Sequence, residues 1–239
     1  MKRTRMIGLI GACLTLAIMV AECQTSEVIV GRRRSTAVAC TSGACYDLFN
    51  GTAGTLLHTY NAHWIDSTAT YPVSHIKIAA ASNAATTTTV SGSGGGQYNI
   101  SSSGTSSCIT TIPTGSGGTV HCSVFGTSGT TPGYQAYLSN VSGANWTRVY
   151  LDKDTGFLAD VTGQTIPWAQ SNVIVIDATY NGSSSTLIHV TINGTLKITY
   201  TDSTSPYTGG TPGFFLTGGG TADDDDIMCW ADYVVSVCP

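Results

Sequence analysis

From Val73 to the C-terminus, apolar residues recur at alternate positions in short runs, and clusters of Gly, Ser, Thr, Asn and Asp separate the runs. A period of two is the mark of a half-buried β-strand, because successive side chains leave opposite faces of a sheet. VSHIKIAAA from Val73, TVHCSVFG from Thr119, GYQAYLSN from Gly133 and NWTRVYLD over residues 145–152 therefore read as strands. A KDTG turn at residues 153–156 closes the last of these. Residues 172–202, NVIVIDATYNGSSSTLIHVTINGTLKITYTD, hold three strand runs joined at Asn181-Gly182 and Asn193-Gly194. Asn-Gly between alternating apolar residues predicts type I′ hairpins, whose two central residues both need positive φ. PGFFLTG and MCWADYVVSV supply the closing strands. No helical period follows the first 23 residues. Many short strands with Gly/Thr-rich turns predict an all-β fold: a two-sheet antiparallel jelly-roll sandwich in one domain. TATYPVS (68–74) reads as a loop entering a strand, and SGSGGGQYNISSSGTSS (91–107) as a long exposed loop inside the domain.

The N-terminus breaks this pattern. Lys2, Arg3 and Arg5 precede an apolar run over residues 6–21, too short for a membrane span and suited to a secretory signal. Residues 1–23 are expected to be a signal peptide or hydrophobic leader, with cleavage near residues 21–24. Cys23 follows Glu22, where a lipobox needs a small residue. Residues 24–44 form a basic leader in which Arg32, Arg33 and Arg34 read either as a processing site or as a solvated tail. The jelly-roll domain is expected over 45–239, in a protein that is secreted, extracellular or held at the cell surface. Membrane attachment would come only through an uncleaved leader.

Charge sharpens the division. Six of the ten basic residues precede position 35; the remainder of the chain sets four against twelve acids, all Asp, a net of −8. Such a surface excludes nucleic acid as a partner and suits a cation. Beyond the leader cysteines Cys13 and Cys23 stand Cys40, Cys45, Cys108, Cys122, Cys229 and Cys238, an even set that predicts three disulfides in an exported chain. Six cysteines allow 15 pairings. One strand from Cys229 to Cys238 would part them by about 30 Å, against a reach of about 7 Å, so these two are not partners. No C-x-x-C pair supports zinc.

Candidate chemistry is sparse. Asp223, Asp224, Asp225 and Asp226 are consecutive, so they repel one another unless solvated or neutralised. Alternation lets at most two share an ion, and oxygen-only ligation suits Ca²⁺; a solvated loop is the alternative. Glycoside hydrolysis needs two carboxylates, and no Glu follows Glu27, which leaves Asp152, Asp154, Asp160 and Asp177. Asp177 shares a strand face with Val173 and Val175, and is expected to face solvent on an outer sheet. DKDTG (152–156) lacks the later Glu of a calcium loop and reads as a hairpin turn. No G-x-S-x-G elbow supports a serine nucleophile, and His58, His63, His75, His121 and His189 lie in no catalytic or zinc motif. Sugar binding needs aromatic platforms, and Trp64, Tyr134, Trp146, Trp168, Tyr207 and Trp230 are available. Trp64 and Trp230 sit in strand context and are expected in the core. Trp168 in TIPWAQ and Tyr207 in TSPYTGG sit in loops and are the ligand-binding candidates. Six N-x-S/T sequons, at Asn50, Asn99, Asn140, Asn145, Asn181 and Asn193, are acceptor sites if the host glycosylates.

DLFNGTAGTLLHTYNAHWI (47–65), GYQAYLSN, NWTRVYLD, NGTLKITYTD and PGFFLTGGGTADDDDIMCWADYVV together resemble the concanavalin A-like (laminin-G-like) jelly-roll superfamily over about residues 45–237. The glycine-rich insertion and the three cysteine pairs depart from that pattern. The resemblance implies that the first and last strands run side by side. That would set Cys40 and Cys45 against Cys229 and Cys238, leave Cys108 for Cys122, and bring Asp47 to the Asp223–226 segment to complete a Ca²⁺ shell. Glycosidases of the superfamily carry a Glu-x-Asp-x-x-Glu strand, which this chain lacks. The implied function is a non-catalytic glycan-binding or adhesion domain, its partner a glycan or cell-surface polysaccharide. The alternatives are a self-assembling subunit of an extracellular filament, coat or virion surface, and an Asp-based polysaccharide-cleaving enzyme.

Overall fold

The period-two runs become strands. The computed structural model describes residues 44–47, 51–67, 72–79, 85–88, 93–98, 104–112, 119–127, 129–154, 156–168, 172–182, 184–217, 221–222 and 227–231. In chain order the strands are β1 (Ala44–Asp47), β2 (Trp64–Asp66), β3 (Ile76–Ile78), β4 (Ala85–Thr87), β5 (Gly94–Tyr98) and β6 (Thr105–Ile112). There follow β7 (Thr119–Gly126), β8 (Tyr134–Ser142), β9 (Asn145–Lys153), β10 (Gly156–Val161), β11 (Ile166–Pro167) and β12 (Asn172–Tyr180). The chain closes with β13 (Thr186–Ile192), β14 (Thr195–Asp202), β15 (Thr211–Thr217), β16 (Thr221–Ala222) and β17 (Ile227–Ala231). One helical turn, α1 (Leu57–Tyr60), and a 3₁₀ turn at Val73–His75 are the helical elements among the described residues.

Six strands form one sheet in the order β1-β17-β6-β12-β13-β14, and a second runs β10-β9-β8-β7-β15-β5-β2 with β11 on β9. A small sheet β16-β4-β3 stands apart. The pairings are antiparallel, and the two large sheets face each other through β6 and β12 against β7, β8 and β15. The core between them is apolar: Val120, Val124, Leu138, Val149, Leu151 and Phe214 meet Ile112, Ile174, Ile176, Ile188 and Val190. The first strand β1 and the last strand β17 are hydrogen-bonded neighbours.

Among the described residues one disulfide crosses the sandwich. Cys108 on β6 and Cys122 on β7 are bonded, with Cα atoms 5.9 Å apart and a sequence separation of 14. Cys45 pairs in register with Cys229, which in turn pairs with Cys108. Cys40 and Cys238 lie outside the described residues. Closing a loop of this length removes chain entropy worth about 3 kcal/mol. Replacing Cys108 and Cys122 together by Ala is therefore expected to lower unfolding stability by about 3 kcal/mol in a chemical-denaturation titration.

Two expectations need correcting. The glycine-rich stretch is not one long loop: β5 pairs with both β15 and β2, and β6 is an interior strand of the six-stranded sheet. Glycine is used there for proximity. A Cβ at Gly95 would stand 2.4 Å from Phe215 Cβ, and one at Gly96 2.9 Å from Trp64 Cε3. The second correction concerns Asn181-Gly182, which is not a two-residue hairpin. Tyr180 pairs with Thr186, and the Asn181 amide bonds Ser185 across a five-residue loop. Asn193-Gly194 does make the tight turn, with φ of 50° and 75° between the paired Ile192 and Thr195.

Candidate functional site

Alternation along β7 decides which side chains reach the outside of the eight-stranded sheet. Cys122 points into the sandwich to meet Cys108, so His121 and Ser123 take the opposite face. Register extends this into two rows. Phe215, His121, Tyr137, Tyr150 and Asp160 stand side by side on β15, β7, β8, β9 and β10. One step along the strands lie Gln97, Gly213, Ser123, Gln135, Asp152 and Phe157.

The first row is an aromatic ladder. His121 stacks between Phe215 and Tyr137 at 4.0 and 4.1 Å, and Tyr137 lies 4.9 Å from Tyr150 with the planes 7° apart. The rings use one another's faces, so over most of its length the ladder turns edges outward. Its open end is on β9 and β10. There the Arg148 guanidinium sits 4.5 Å over Tyr150, and Phe157, 58% exposed, meets Tyr150 edge-on at 6.3 Å. Arg148 Nε is ion-paired with Asp160.

The second row is mostly polar, and two of its side-chain atoms, Ser123 Oγ and Asp152 Oδ1, lack partners. Tyr137 Oη donates to Asp152 Oδ2 at 2.9 Å, while Asp152 Oδ1 is buried with no hydrogen bond. Ser123 Oγ and His121 Nδ1 are buried and equally unpartnered. Gln135, between Ser123 and Asp152, donates from Nε2 to the Asp154 carbonyl at 2.5 Å. Each orphaned atom costs about 1–3 kcal/mol unless something supplies its bond. Burial raises the Asp152 carboxyl above the usual range, opposed by the Tyr137 hydroxyl. Burial also takes His121 down to about 3, against a smaller opposing effect of Gln135, so the ring is neutral at ordinary pH. Its Nε2 shares a 3.0 Å bond with Thr119 Oγ1.

At the sandwich edge by β14 most polar groups bond one another, although Asp154 Oδ1 is buried without a partner. Asp202 is 3% exposed and accepts from Tyr134 Oη and Lys153 Nζ, both at 2.8 Å on Oδ2, and from the Thr204 amide at 2.9 Å on Oδ1. Tyr207 joins by donating its amide to Tyr134 Oη at 3.1 Å and its hydroxyl to Asp154 Oδ2 at 2.6 Å. Burial pushes the Tyr207 hydroxyl up to about 12, with the Asp154 bond adding to the rise.

Set against the sequence, Asp152 and Asp160 stand on the outer face, whereas Asp154 occupies the β9–β10 turn at φ 56°. Asp177 belongs to the other sheet and is only 1% exposed, which overturns its solvent-facing expectation; the Ser107 hydroxyl donates to it. Ser107, Asp177 and His189 stand abreast on β6, β12 and β13. The acid is in the middle and receives the serine's hydrogen, so His189 has no route to act as that serine's base. Trp64 is core at 1% exposure and Trp146 is buried, while Trp168 is 36% exposed beside the β8–β9 turn, its amide on the Ala144 carbonyl. Tyr207 is held by the Asp154–Tyr134 contacts, with Lys153 Nζ 4.9 Å over its ring. Asn145, Asn181 and Asn193 sit at strand ends or turns. Asn193 Oδ1 accepts the Val173 amide, so its side chain serves the turn. Asn50, Asn99 and Asp223, Asp224, Asp225 and Asp226 lie outside the described residues; Asp47 pairs with Ile227, next after Asp226. Among the described residues no three His, Cys, Asp or Glu side chains group as a metal site. Sequence reasoning passed over His121, Ser123, Gln135, Tyr137, Tyr150 and Phe157. Laying TVHCSVFG, GYQAYLSN and NWTRVYLD side by side would have put most of these on one face.

No protein-family model and no curated protein matches this sequence. Solved structures do match. The carbohydrate recognition domain of Emp47p superposes with a TM-score of 0.50 at 10% identity, over 84% of this chain and 100% of that one. A Bacillus licheniformis β-glucanase superposes with a TM-score of 0.50 at 14% identity, over 81% of this chain and 100% of its own. The metal-free carbohydrate recognition domain of Emp46p gives 0.50 at 10% identity, over 80% and 97%.

The fold is the two-sheet antiparallel jelly-roll sandwich of these structures. At these identities the architecture is shared and the residues are not, so function must be argued from this chain's own side chains. Within this sandwich, the outer face of the eight-stranded sheet gathers aromatic edges, one ion pair and unpartnered polar atoms.

Proposed function

We propose that the chain is a secreted or cell-surface, non-catalytic glycan-binding domain whose ligand lies on the outer face of the eight-stranded sheet. One observation carries this reading: Ser123 Oγ, His121 Nδ1 and Asp152 Oδ1 are buried without partners beside a row of aromatic rings. A polyhydroxylated ring presents alternating C–H and O–H groups, the complement of such a surface. The superposition on carbohydrate recognition domains supports the reading at the level of architecture, and the leader and the disulfide support export.

Binding rather than cleavage follows from the carboxylates. Glycoside hydrolysis needs a free pair. Asp160 is held by Arg148; Asp152 and Asp154 each have one oxygen bonded, by Tyr137 and Tyr207, and one buried without a partner, but Asp154 stands in the β9–β10 turn, so Asp152 is the described carboxylate on the strand face with an open oxygen. A Ca²⁺ site over Asp47 and Asp223–226 falls mostly outside the described residues and is separate from the aromatic and polar rows. Titrations run with Ca²⁺ and with EDTA decide that point.

The test is calorimetry on glycans selected from an array. Tyr150→Ala is expected to weaken binding about 10-fold, since a stacking contact contributes about 1 kcal/mol or more. Leu196→Ala, at an exposed position on β14, leaves binding unchanged. Absence of any glycan ligand, or reducing-end release from a polysaccharide, defeats the reading. β14 ends its sheet, and Leu196 (55% exposed) and Leu187 (38%) stand open on β14 and β13, which favours self-association as the second reading. Sedimentation of the folded protein as a monomer removes it.

A further inference from the structure

Resting on the glycan-binding reading, we propose that the site selects uncharged sugar chains over acidic ones, with Asp152 as the residue that sets this specificity. Donors and charge set the preference. Asp152 Oδ2 already accepts the Tyr137 hydroxyl, and Oδ1 is buried with nothing to accept. A ligand hydroxyl donating to Oδ1 completes the carboxylate, whereas a ligand carboxylate offers only acceptors and a second negative charge.

Among the described residues no free cation compensates on this face. Four basic residues follow position 35: Lys77, Arg148, Lys153 and Lys197. Arg148 is the one on the ladder, and Asp160 holds it. Lys153 follows Asp152 in the strand and so points to the other side, onto Asp202 at 2.8 Å. Lys77 donates to the Thr88 carbonyl on β3, and Lys197 lies on β14 of the other sheet. A uronate seated beside Asp152 would be a like-charge pair in a half-buried place, which recognition sites use to reject wrong partners. An isolated solvated carboxylate would exert little such effect; Asp152 is pulled out of water by its packing and held in place by Tyr137.

The groups around Asp152 fix the pH behaviour. Tyr137 faces it from β8, His121 stands behind Tyr137 on β7, and Asp160 lies on β10. Arg148 and Tyr150 share its own strand, and Asp154 follows in the turn. His121 stays neutral over the working range, and Tyr137 is raised by burial and by Asp152, so it keeps its proton. Asp152 is the group expected to titrate. Because burial lifts its carboxyl above the ordinary range, affinity for a hydroxyl donor should fall as pH is lowered through that raised value.

The experiment uses the full chain and matched hexasaccharide pairs: β-glucan, mannan and galactan, each with its C6-oxidised uronate counterpart. Titration is by calorimetry at low and high salt. The expected result is binding of a neutral member, with its uronate partner weaker by about 100-fold at low salt and less at high salt. Asp152→Asn keeps an acceptor for Tyr137. It should weaken the neutral ligand about 10-fold, bring the uronate to within about 10-fold of it, and abolish the acid-side loss of affinity. If that variant fails to fold by circular dichroism, the wild-type pair ratio and pH profile decide alone. Equal affinity for both members of a pair overturns the selectivity and leaves glycan binding standing. Failure of every pair overturns glycan binding itself.

Discussion

Asp202→Ala is expected to lower the midpoint of thermal unfolding by about 10 °C. Asp202 is 3% exposed and joins three elements: β14, which it ends, the β8–β9 hairpin through Tyr134 and Lys153, and the following loop through Thr204. Deleting the carboxylate leaves the Lys153 ammonium, 17% exposed, without its counter-charge, and Tyr134 Oη without its acceptor. Removing one member of a buried pair costs about 3–5 kcal/mol, and in a domain near 200 residues each kcal/mol moves the midpoint by about 2–4 °C. Lys153→Met should cost a comparable amount. The double variant should cost less than the sum, because neither charge is then stranded. Equal additive losses would mean that the pair is solvated.

The same carboxylate makes stability depend on pH. Burial raises its pKa, and the bonds from Lys153, Tyr134 and the Thr204 amide outweigh that, so the net displacement is downward. A group whose folded pKa lies below its unfolded value, about 3.9 for Asp, stabilises fully above that value. The contribution is lost as pH falls through the lower, folded pKa. Asp152 runs the other way: its raised folded pKa means that ionising it disfavours the fold, so its contribution worsens as pH rises from about 3.9 through the folded value. Chemical denaturation across pH 2–6 should show wild type losing stability at the acid end and Asp202→Ala losing less of it.

How much of this was legible in the sequence follows from what each signal depends on. TVHCSVFG and NVIVIDATY declared themselves because alternation is local, and the 193–194 turn because Asn-Gly tolerates positive φ. The Gly94–Tyr98 strand was hidden. Its glycines read as a loop, yet Phe215 and Trp64 require their missing side chains, a constraint set by chain 30 or more residues away. Asp177 misled for a related reason: alternation gives a face but not what covers it. The site was hidden most deeply. His121, Tyr137 and Tyr150 are ordinary strand residues until pairing of β7, β8 and β9 aligns them, and pairing register is non-local. Tyr207 was singled out because it lies in a loop; the structure binds it instead to Asp154 and Tyr134, a bond set that no loop composition announces.

Trp64→Ala should be as damaging as loss of Asp202, by about 3–5 kcal/mol in a denaturant titration. Trp64 lies on the three-residue strand β2, is 1% exposed, and meets Phe214 edge-on at 5.1 Å. An indole removed from such a place leaves a void that a short edge strand can fill only by leaving its sheet. The neighbouring glycine offers an internal check. A Cβ at Gly96 would come within 2.9 Å of Trp64 Cε3, and next 3.4 Å from Leu57 Cδ2. In the wild-type background Gly96→Ala is expected to cost about 1–3 kcal/mol by overpacking. With Trp64 already Ala, the closest obstacle is gone, so the same substitution should cost measurably less and partly fill the void. A cost that is unchanged between the two backgrounds would mean that Gly96 is needed for its backbone alone, and that Trp64 does not rest on β5.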